Sequence, residues 1–320
     1  MNKKTLGLMP VYSVTAPTLS EATYKAWLAC FKYGVRVLNV KHGLYGEDEP
    51  LGHDTTLIVV VKNPLGEPAV FTPGITNDLD SMEAYRLELV YGIHDHWVDQ
   101  GFWAYTYHQR FGPQIEPMLA RIENTWLEKG RITSRDFQLT TWQWETDTVI
   151  DDPPCLQIVH VRLLPTEKPF VYKLNLTVVF RSRDLGQAFW ENAYGFIGLQ
   201  KHLARLIGER LKKYGISIGI GAYVDISISN HLYGRDAVKR DLPGTLRRMQ
   251  EFPWQRFAMD SSVLWPPETL LLTRHKISAQ LYYEEKTRGT NNHSFGPSES
   301  MMKEFGIDWR NFPYPPEWDL

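Results

Sequence analysis

The sequence predicts an α+β fold, and three observations predict it. Two alternating apolar runs, residues 156–163 and 173–180, flank the polar, proline-bounded Pro165-Thr166-Glu167-Lys168-Pro169, which is the signature of a hairpin. Apolar residues at 56–61 and an alternating run at 216–228 read as further strands. Segments of helical period at 20–33, 80–92, 115–129 and 190–213 lie among them. A chain of 320 residues can bury a sizeable core. No repeat or domain-separating linker divides it, so residues 1–320 are expected to form a single domain.

In order, residues 20–33 form a helix with Ser20 as cap and Ala22, Trp27, Leu28 and Phe31 on its apolar face. Cys30 falls inside it and reads as a small core residue. The acidic Gly46-Glu47-Asp48-Glu49 within 43–53 reads as a solvated loop. The strand at 56–61 ends at Lys62-Asn63-Pro64-Leu65-Gly66. In the helix 80–92, Ser81 is the cap candidate and Gly92 the stop signal. Glu88 falls beside Tyr85 and Leu89 on the inward face, although a glutamate at a helix edge is the plainer reading.

An aromatic stretch carries His94, His96 and His108. A His-x-His pair can bind metal, but no Cys/His pair of zinc spacing follows, so no metal is expected. Met118, Ile122 and Trp126 keep register along helix 115–129. Arg135 and Asp136, ahead of a strand at 138–142, read by themselves as a surface ion pair worth under ~1 kcal/mol. In the helix 190–213, Phe196, Leu199, Leu203 and Leu211 oppose Lys201, Arg205, Glu209 and Lys212. Gly219-Ile220-Gly221 lacks the third glycine and the following helix of a dinucleotide fingerprint. The remainder holds a basic stretch at 235–248, an apolar one at 270–272, a polar loop at 287–300 and an aromatic-rich end.

A net charge of −2 argues against nucleic-acid binding through bulk charge. No apolar run approaches the ~20 residues of a membrane span, and no long apolar core follows Met1-Asn2-Lys3-Lys4 to make a signal peptide. With only 2 cysteines, a reducing cytoplasm is the simpler expectation. The 11 tryptophans suit a large core, a subunit interface or stacking surfaces for flat ligands.

The chemistry concentrates between residues 153 and 192. If the hairpin turn centres on Thr166 and Glu167, Cys155 lies opposite Val178, and Arg181 is about 10 Å or less along the next strand. A thiol, a guanidinium and the Ser182 hydroxyl then share one end of a sheet. Asp184, three residues ahead of Gln187, resembles a capping box opening a helix, with Asn192 two turns into it.

Pro153-Pro154-Cys155, Arg181-Ser182-x-Asp184, then Asn192, then His231-x-Tyr233 together resemble the thymidylate synthase and pyrimidine-nucleotide hydroxymethylase superfamily. The match spans about residues 80–235, and 236–320 diverge. It implies a large mixed or antiparallel sheet packed with helices. It also implies folate-dependent one-carbon transfer to C5 of a pyrimidine nucleoside monophosphate, with methylenetetrahydrofolate as co-substrate. Under the resemblance Cys155 adds to C6 as a thiolate, which Arg181 favours. Arg181 and Ser182 bind the 5′-phosphate. Asn192 meets the base, a uracil or, with its amide turned, a cytosine. Asp184 meets the pterin and assists proton movement. Glu88, its pKa raised by desolvation, positions water and relays protons. Tyr107, or Tyr105 two residues earlier, stands near the C5 proton, and His231 and Tyr233 take the sugar hydroxyl. Arg135 reaches across a homodimer interface to the partner's phosphate site.

The chain also departs from the superfamily pattern. Asp136 replaces a second arginine, and Leu156 replaces the histidine that commonly follows the nucleophile. The segment from Glu88 to Tyr107 is short where a tryptophan-bearing wall usually stands, with Trp97 or Trp103 able to substitute. The ending Glu317-Trp318-Asp319-Leu320 is not the usual small, apolar terminus. Once the donor leaves, a hydride on the C5 methylene gives a methyl group and water gives a hydroxymethyl group. The first outcome needs a dry site. The expectation is therefore hydroxymethylation of a (deoxy)cytidylate or deoxyuridylate. The alternatives are methylation of dUMP by a thymidylate synthase, a catalytically inactive nucleotide-binding relative and, further off, a metal-dependent hydrolase using His94 and His96.

Overall fold

In the computed structural model, which describes residues 7–38, 51–71, 79–234, 242–263, 267–287 and 297–319, the β-branched runs pair into a mixed sheet of seven strands. Most of the acidic loop at 43–53, residues 235–241 of the basic stretch, 288–296 of the polar loop and Leu320 lie outside the described residues. The strands are β1 (Val11–Ala16), β2 (Val35–Val37), β3 (Gly52–Val61), β5 (Gln138–Thr140), β6 (Leu156–Pro165), β7 (Val171–Asp184) and β8 (Ser217–Leu232). Their order is β1-β3-β8-β7-β6-β5, with β2 paired to β3. β4 (Val70–Phe71) and β9 (Ser262–Val263) form a separate pair. β7 and β8 run parallel, and a parallel pair needs a long crossover, here a helix.

The helices before and including that crossover are α1 (Leu19–Tyr33), α2 (Leu79–Tyr91), α3 (Asp95–Asp99), α4 (Tyr107–Phe111), α5 (Ile115–Lys129), α6 (Trp144–Asp147) and α7 (Phe189–Leu211). α7 lays Phe196, Leu199, Leu203, Ile207 and Leu211 on a sheet face made of Leu174, Leu176, Val178 and Phe180, all fully buried. Each such Leu or Phe contributes about 1.5–3 kcal/mol. The exposed Arg205–Glu209 pair on the other face adds under ~1 kcal/mol, so the apolar stripe holds the helix down. Two glycines let α2 approach α7 closely. A Cβ on Gly195 would stand 2.5 Å from Leu89, and one on Gly198 would stand 2.8 Å from Arg86.

The opposite face of the sheet differs. Ile58, Val60, Ile158, Val179, Val224 and Ile226 stay half-buried, and none of them joins the core. An antiparallel sheet turned to water normally carries polar residues there.

Several local expectations need correction. α1 starts at Leu19 behind Thr18, and Ser20 is buried inside the first turn instead of capping it. Ser81 likewise lies within α2. The ladder with β8 carries β7 through Asp184, so that residue opens no helix. Its Oδ1 accepts the N–H groups of Gly186 (2.9 Å) and Gln187 (3.0 Å) to close a turn, and α7 begins at Phe189. Asp136 pairs with Arg121 and Ser134, not with Arg135, and the Arg121 guanidinium holds its carboxyl at about 2. In the hairpin Val159 pairs with Val178, and a bulge between Leu156 and Ile158 brings Cys155 level with Arg181. The thiol residue and the guanidinium residue are thus direct cross-strand neighbours instead of three residues apart.

Candidate active site

Cys155 follows Pro153-Pro154 at the foot of β6 and is unpaired with Cys30, which is buried on the inner face of α1. The Arg181 backbone N–H donates to the Cys155 carbonyl at 2.8 Å. The Arg181 side chain then turns back on the same loop. Nε donates to the Pro154 carbonyl (3.1 Å) and Nη2 to that of Pro153 (2.5 Å). Two fixed donors set the guanidinium plane and leave the rest of its fork for an anion.

Burial pushes the Cys155 thiol up, and Asp152 pushes the same way, while Arg181 and Arg183 pull it down. The expected help from Arg181 is present, but desolvation outweighs it.

Tyr105 and Tyr107 both lie close enough to Cys155 for its charge to act on them, and burial raises both phenols. Tyr107 is fixed at the start of α4, where the Thr106 hydroxyl accepts the Gln109 N–H at 2.9 Å. Its ring stands edge-on to Phe180 at 6.4 Å. A cleft of about 400 Å³ opens beside these rings, lined by Tyr85, Glu88, Trp103, Tyr105, Tyr107 and Asp152 among others. Asn192 on α7 donates to the Tyr85 hydroxyl at 2.6 Å, a contact made possible by the α2–α7 approach. Glu88, only 8 % exposed, has Oε2 at 2.8 Å from Nδ1 of His94.

Ser182, Asp184, His231 and Tyr233 form a second group at the ends of β7 and β8. Ser182 pairs with Ser229 and Asp184 with His231 in the ladder. The rings of His231 and Tyr233 meet edge-on at 4.6 Å. This group continues from Arg181 along β7, so Arg181 joins the two halves of the site. Arg135 lies apart from both and is exposed. From the uncovered face of β6, Arg162 binds the Thr133 carbonyl (3.0 Å) and that of Ser134, and His160 binds the carbonyl of Arg135 (2.9 Å). Those bonds fix Arg135 at the margin of the uncovered sheet face.

Three features have contacts that the sequence reading did not anticipate. Arg183, 2 % exposed, pairs with the buried Asp225 at 2.9 Å and lies 3.3 Å over the Phe180 ring. The hint in the sequence was Asp225, the one charged residue in the apolar run 216–228. His94 and His96 turn to different carboxylates, Glu88 and Glu284 (3.6 Å), rather than to one ion. Among the described residues, no group of three or more His, Cys, Asp or Glu could hold a metal. Lastly, the segment Pro316–Asp319 docks against α2. Arg86 donates to the Trp318 carbonyl (2.9 Å), Tyr91 donates to that of Glu317, and Arg274 pairs with Asp319 (2.6 Å). Trp318 itself is buried against Leu87 and Ile277.

No protein-family model matches the chain. It is 30% identical over 198 residues to a protein of Methanocaldococcus jannaschii named "Putative thymidylate synthase", covering 58% of this chain and 74% of that one. A protein of the same name from Methanosarcina mazei is 27% identical over 235 residues, with 70% of this chain and 90% of that one covered. The solved thermostable thymidylate synthase A from Bacillus subtilis superposes with a TM-score of 0.47 at 14% identity, over 74% of this chain and 85% of that one. Among the described residues, no helix is long and apolar enough to cross a membrane. With a relative 30% identical over about three quarters of its length, the chain belongs to the thymidylate synthase-like family.

Proposed function

We propose that this protein transfers a one-carbon unit from methylenetetrahydrofolate to C5 of a pyrimidine nucleoside monophosphate through a Cys155–C6 adduct, giving the hydroxymethyl nucleotide. The observation that carries the reading is the cross-strand contact of Cys155 with Arg181, next to a cleft that Glu88 and Tyr107 line. Arg181 and Ser182 bind the 5′-phosphate, and His231 and Tyr233 bind the sugar hydroxyl. Asn192, steadied by Tyr85, orients the base. The Cys155 sulfur adds to C6 as its proton leaves, which makes C5 nucleophilic. Bound methylenetetrahydrofolate supplies the one-carbon unit. The aromatic rings and carboxylates around the cleft suit a flat pterin with ring N–H donors, and Trp103 and Asp184 are the residues that would hold it. Tyr107 stands where the C5 proton departs, and Glu88 handles the water.

A homodimer completes the site. The half-buried Ile58, Val60, Val179, Val224 and Ile226 supply an apolar face for a second copy, with Arg135 held at its edge to reach the partner's phosphate site. Hydroxymethylation is favoured because the segment Pro316–Asp319, held by Arg86, Tyr91 and Arg274, does not line the cleft, which leaves water access. Methylation of dUMP is the second reading, favoured by Trp103 in the cleft wall.

The test is incubation with methylenetetrahydrofolate and C5-tritiated dUMP, dCMP and CMP. Tritium release without dihydrofolate supports hydroxymethylation. Growth of dihydrofolate absorbance would shift the product to the methyl nucleotide, and no release from any of the three would overturn the reading.

A further inference from the structure

Glu88 shares its carboxylate with an imidazole that the chemistry above leaves unused. His94 Nδ1 lies 2.8 Å from Glu88 Oε2, with the side chains 14% and 11% exposed. The His94 ring is stacked on Trp97 at 4.0 Å and 10°, and Trp103 stands edge-on to it at 6.0 Å. The chain reaches this position through Gly92, which takes φ +65 and has no room for a side chain. A Cβ there would stand 2.2 Å from the His108 ring and 2.4 Å from the Asp95 carboxylate. That turn folds residue 94 back onto residue 88.

Two neighbouring carboxylates are already engaged. Asp95 holds His108 (2.7 Å) and Thr106, while Glu284 holds the Trp97 indole (3.2 Å) and His96 (3.6 Å). Of the three carboxylates paired with an imidazole here, only Glu88 lines the cleft. The histidine that commonly follows the nucleophile is Leu156 in this chain.

We propose that His94 is a positioning residue for Glu88, donating Nδ1–H to Oε2 and holding Oε1 toward the cleft as the base for the water that ends the reaction. The inference rests on the functional reading above. In that step the water oxygen bonds to the exocyclic methylene carbon at C5, and its proton passes to Glu88 Oε1. The methylene π electrons move into the ring as an anion on the C4 substituent. Collapse of that anion restores the C5–C6 double bond and expels the Cys155 thiolate, which regains the proton.

Two substitutions separate positioning from mere packing. His94→Phe keeps the stack on Trp97 and removes the donor, whereas His94→Asn keeps an N–H near the Nδ1 position. The measurements are kcat and KM for the nucleotide, nucleotide Kd by calorimetry with no pterin present, and the thermal midpoint. The expected result for His94→Phe is a fall in kcat of about 10–100-fold, the scale of misplacing a general base. Kd should stay within about threefold and the midpoint close to wild type, and His94→Asn should recover most of kcat. If His94→Phe does not fold, His94→Gln, whose amide falls at the Nε2 position, takes its place with the same expectation. Wild-type kcat in the donor-less variant, a loss confined to KM and Kd, or no recovery in His94→Asn would each overturn the proposal. An inactive wild type with all three nucleotides would sink the functional reading and this inference together. An active wild type with an equally active His94→Phe would sink the inference alone.

Discussion

The Arg181 N–H meets the Cys155 carbonyl at 2.8 Å, so the thiol and the guanidinium leave neighbouring strands at the same level. Their effects on the thiol are opposed by burial, which prevails. Alkylation requires thiolate, and a raised pKa means less thiolate at neutral pH. The rate for Cys155 should therefore be slow at pH 7.5 and still climb beyond pH 9, where a free thiol of pKa about 8.5 has levelled off. Arg181→Ala removes a charge that lowers the pKa, so alkylation at pH 7.5 should slow further, by about tenfold for each unit gained. Rates of iodoacetamide labelling against pH in both proteins check this. Faster labelling in the variant would contradict it.

Arg183 and Asp225 are each 1% exposed at the side chain, and Tyr223 (2.8 Å) and Ser227 (3.1 Å) also donate to Asp225. Removing one partner strands a buried charge, so Asp225→Ala should cost about 3–5 kcal/mol. Replacing both, as Arg183→Met with Asp225→Leu, should recover much of that loss, because an apolar pair carries no desolvation penalty. Urea midpoints of the three proteins decide it, and equal losses in the single and double variants would refute the argument.

A charge on the uncovered sheet face should block self-association while leaving the fold intact. Ile226→Lys is expected to sediment as a monomer with a wild-type circular dichroism spectrum, and to lose activity because Arg135 no longer reaches a partner. Arg135→Ala should remain dimeric and bind nucleotide about 10–100-fold more weakly, the worth of a charge-assisted phosphate contact. Sedimentation together with calorimetry tests both. A monomeric wild type with full activity would remove the second copy from the site.

The elements with strong periodicity were legible because local chemistry decides them. Helix 115–129 matches α5 to the residue, and Gly130 at φ +60 closes it. Alternation also identified both strands of the hairpin. Its register was not legible, because it depends on where the turn falls and on a bulge. Phe170 takes φ +59 past the proline-flanked loop, and the irregularity at 156–158 adds the last step. Asp184 had the spacing of a cap, but a strand neighbour claimed it first.

In the site, residue identity and order named Cys155 and Arg181, while Glu88 and the choice between Tyr105 and Tyr107 came only through the resemblance. His94 was weighed only as a metal ligand, since its contact with Glu88 exists only after Gly92 turns the chain. The Arg183–Asp225 pairing was not legible because its members lie 42 positions apart in the chain and meet only once β7 and β8 pair.

The central claim is that the Cys155 sulfur bonds to the pyrimidine ring, and a C5-fluorinated nucleotide tests it most directly. Fluorine cannot leave as a proton does, so the reaction should halt with nucleotide and one-carbon donor attached. Mass spectrometry of denatured, digested protein should then find the combined mass on the peptide carrying Cys155, and nothing on Cys155→Ser. An unmodified Cys155, with the Ser variant still turning over the natural nucleotide, would contradict it.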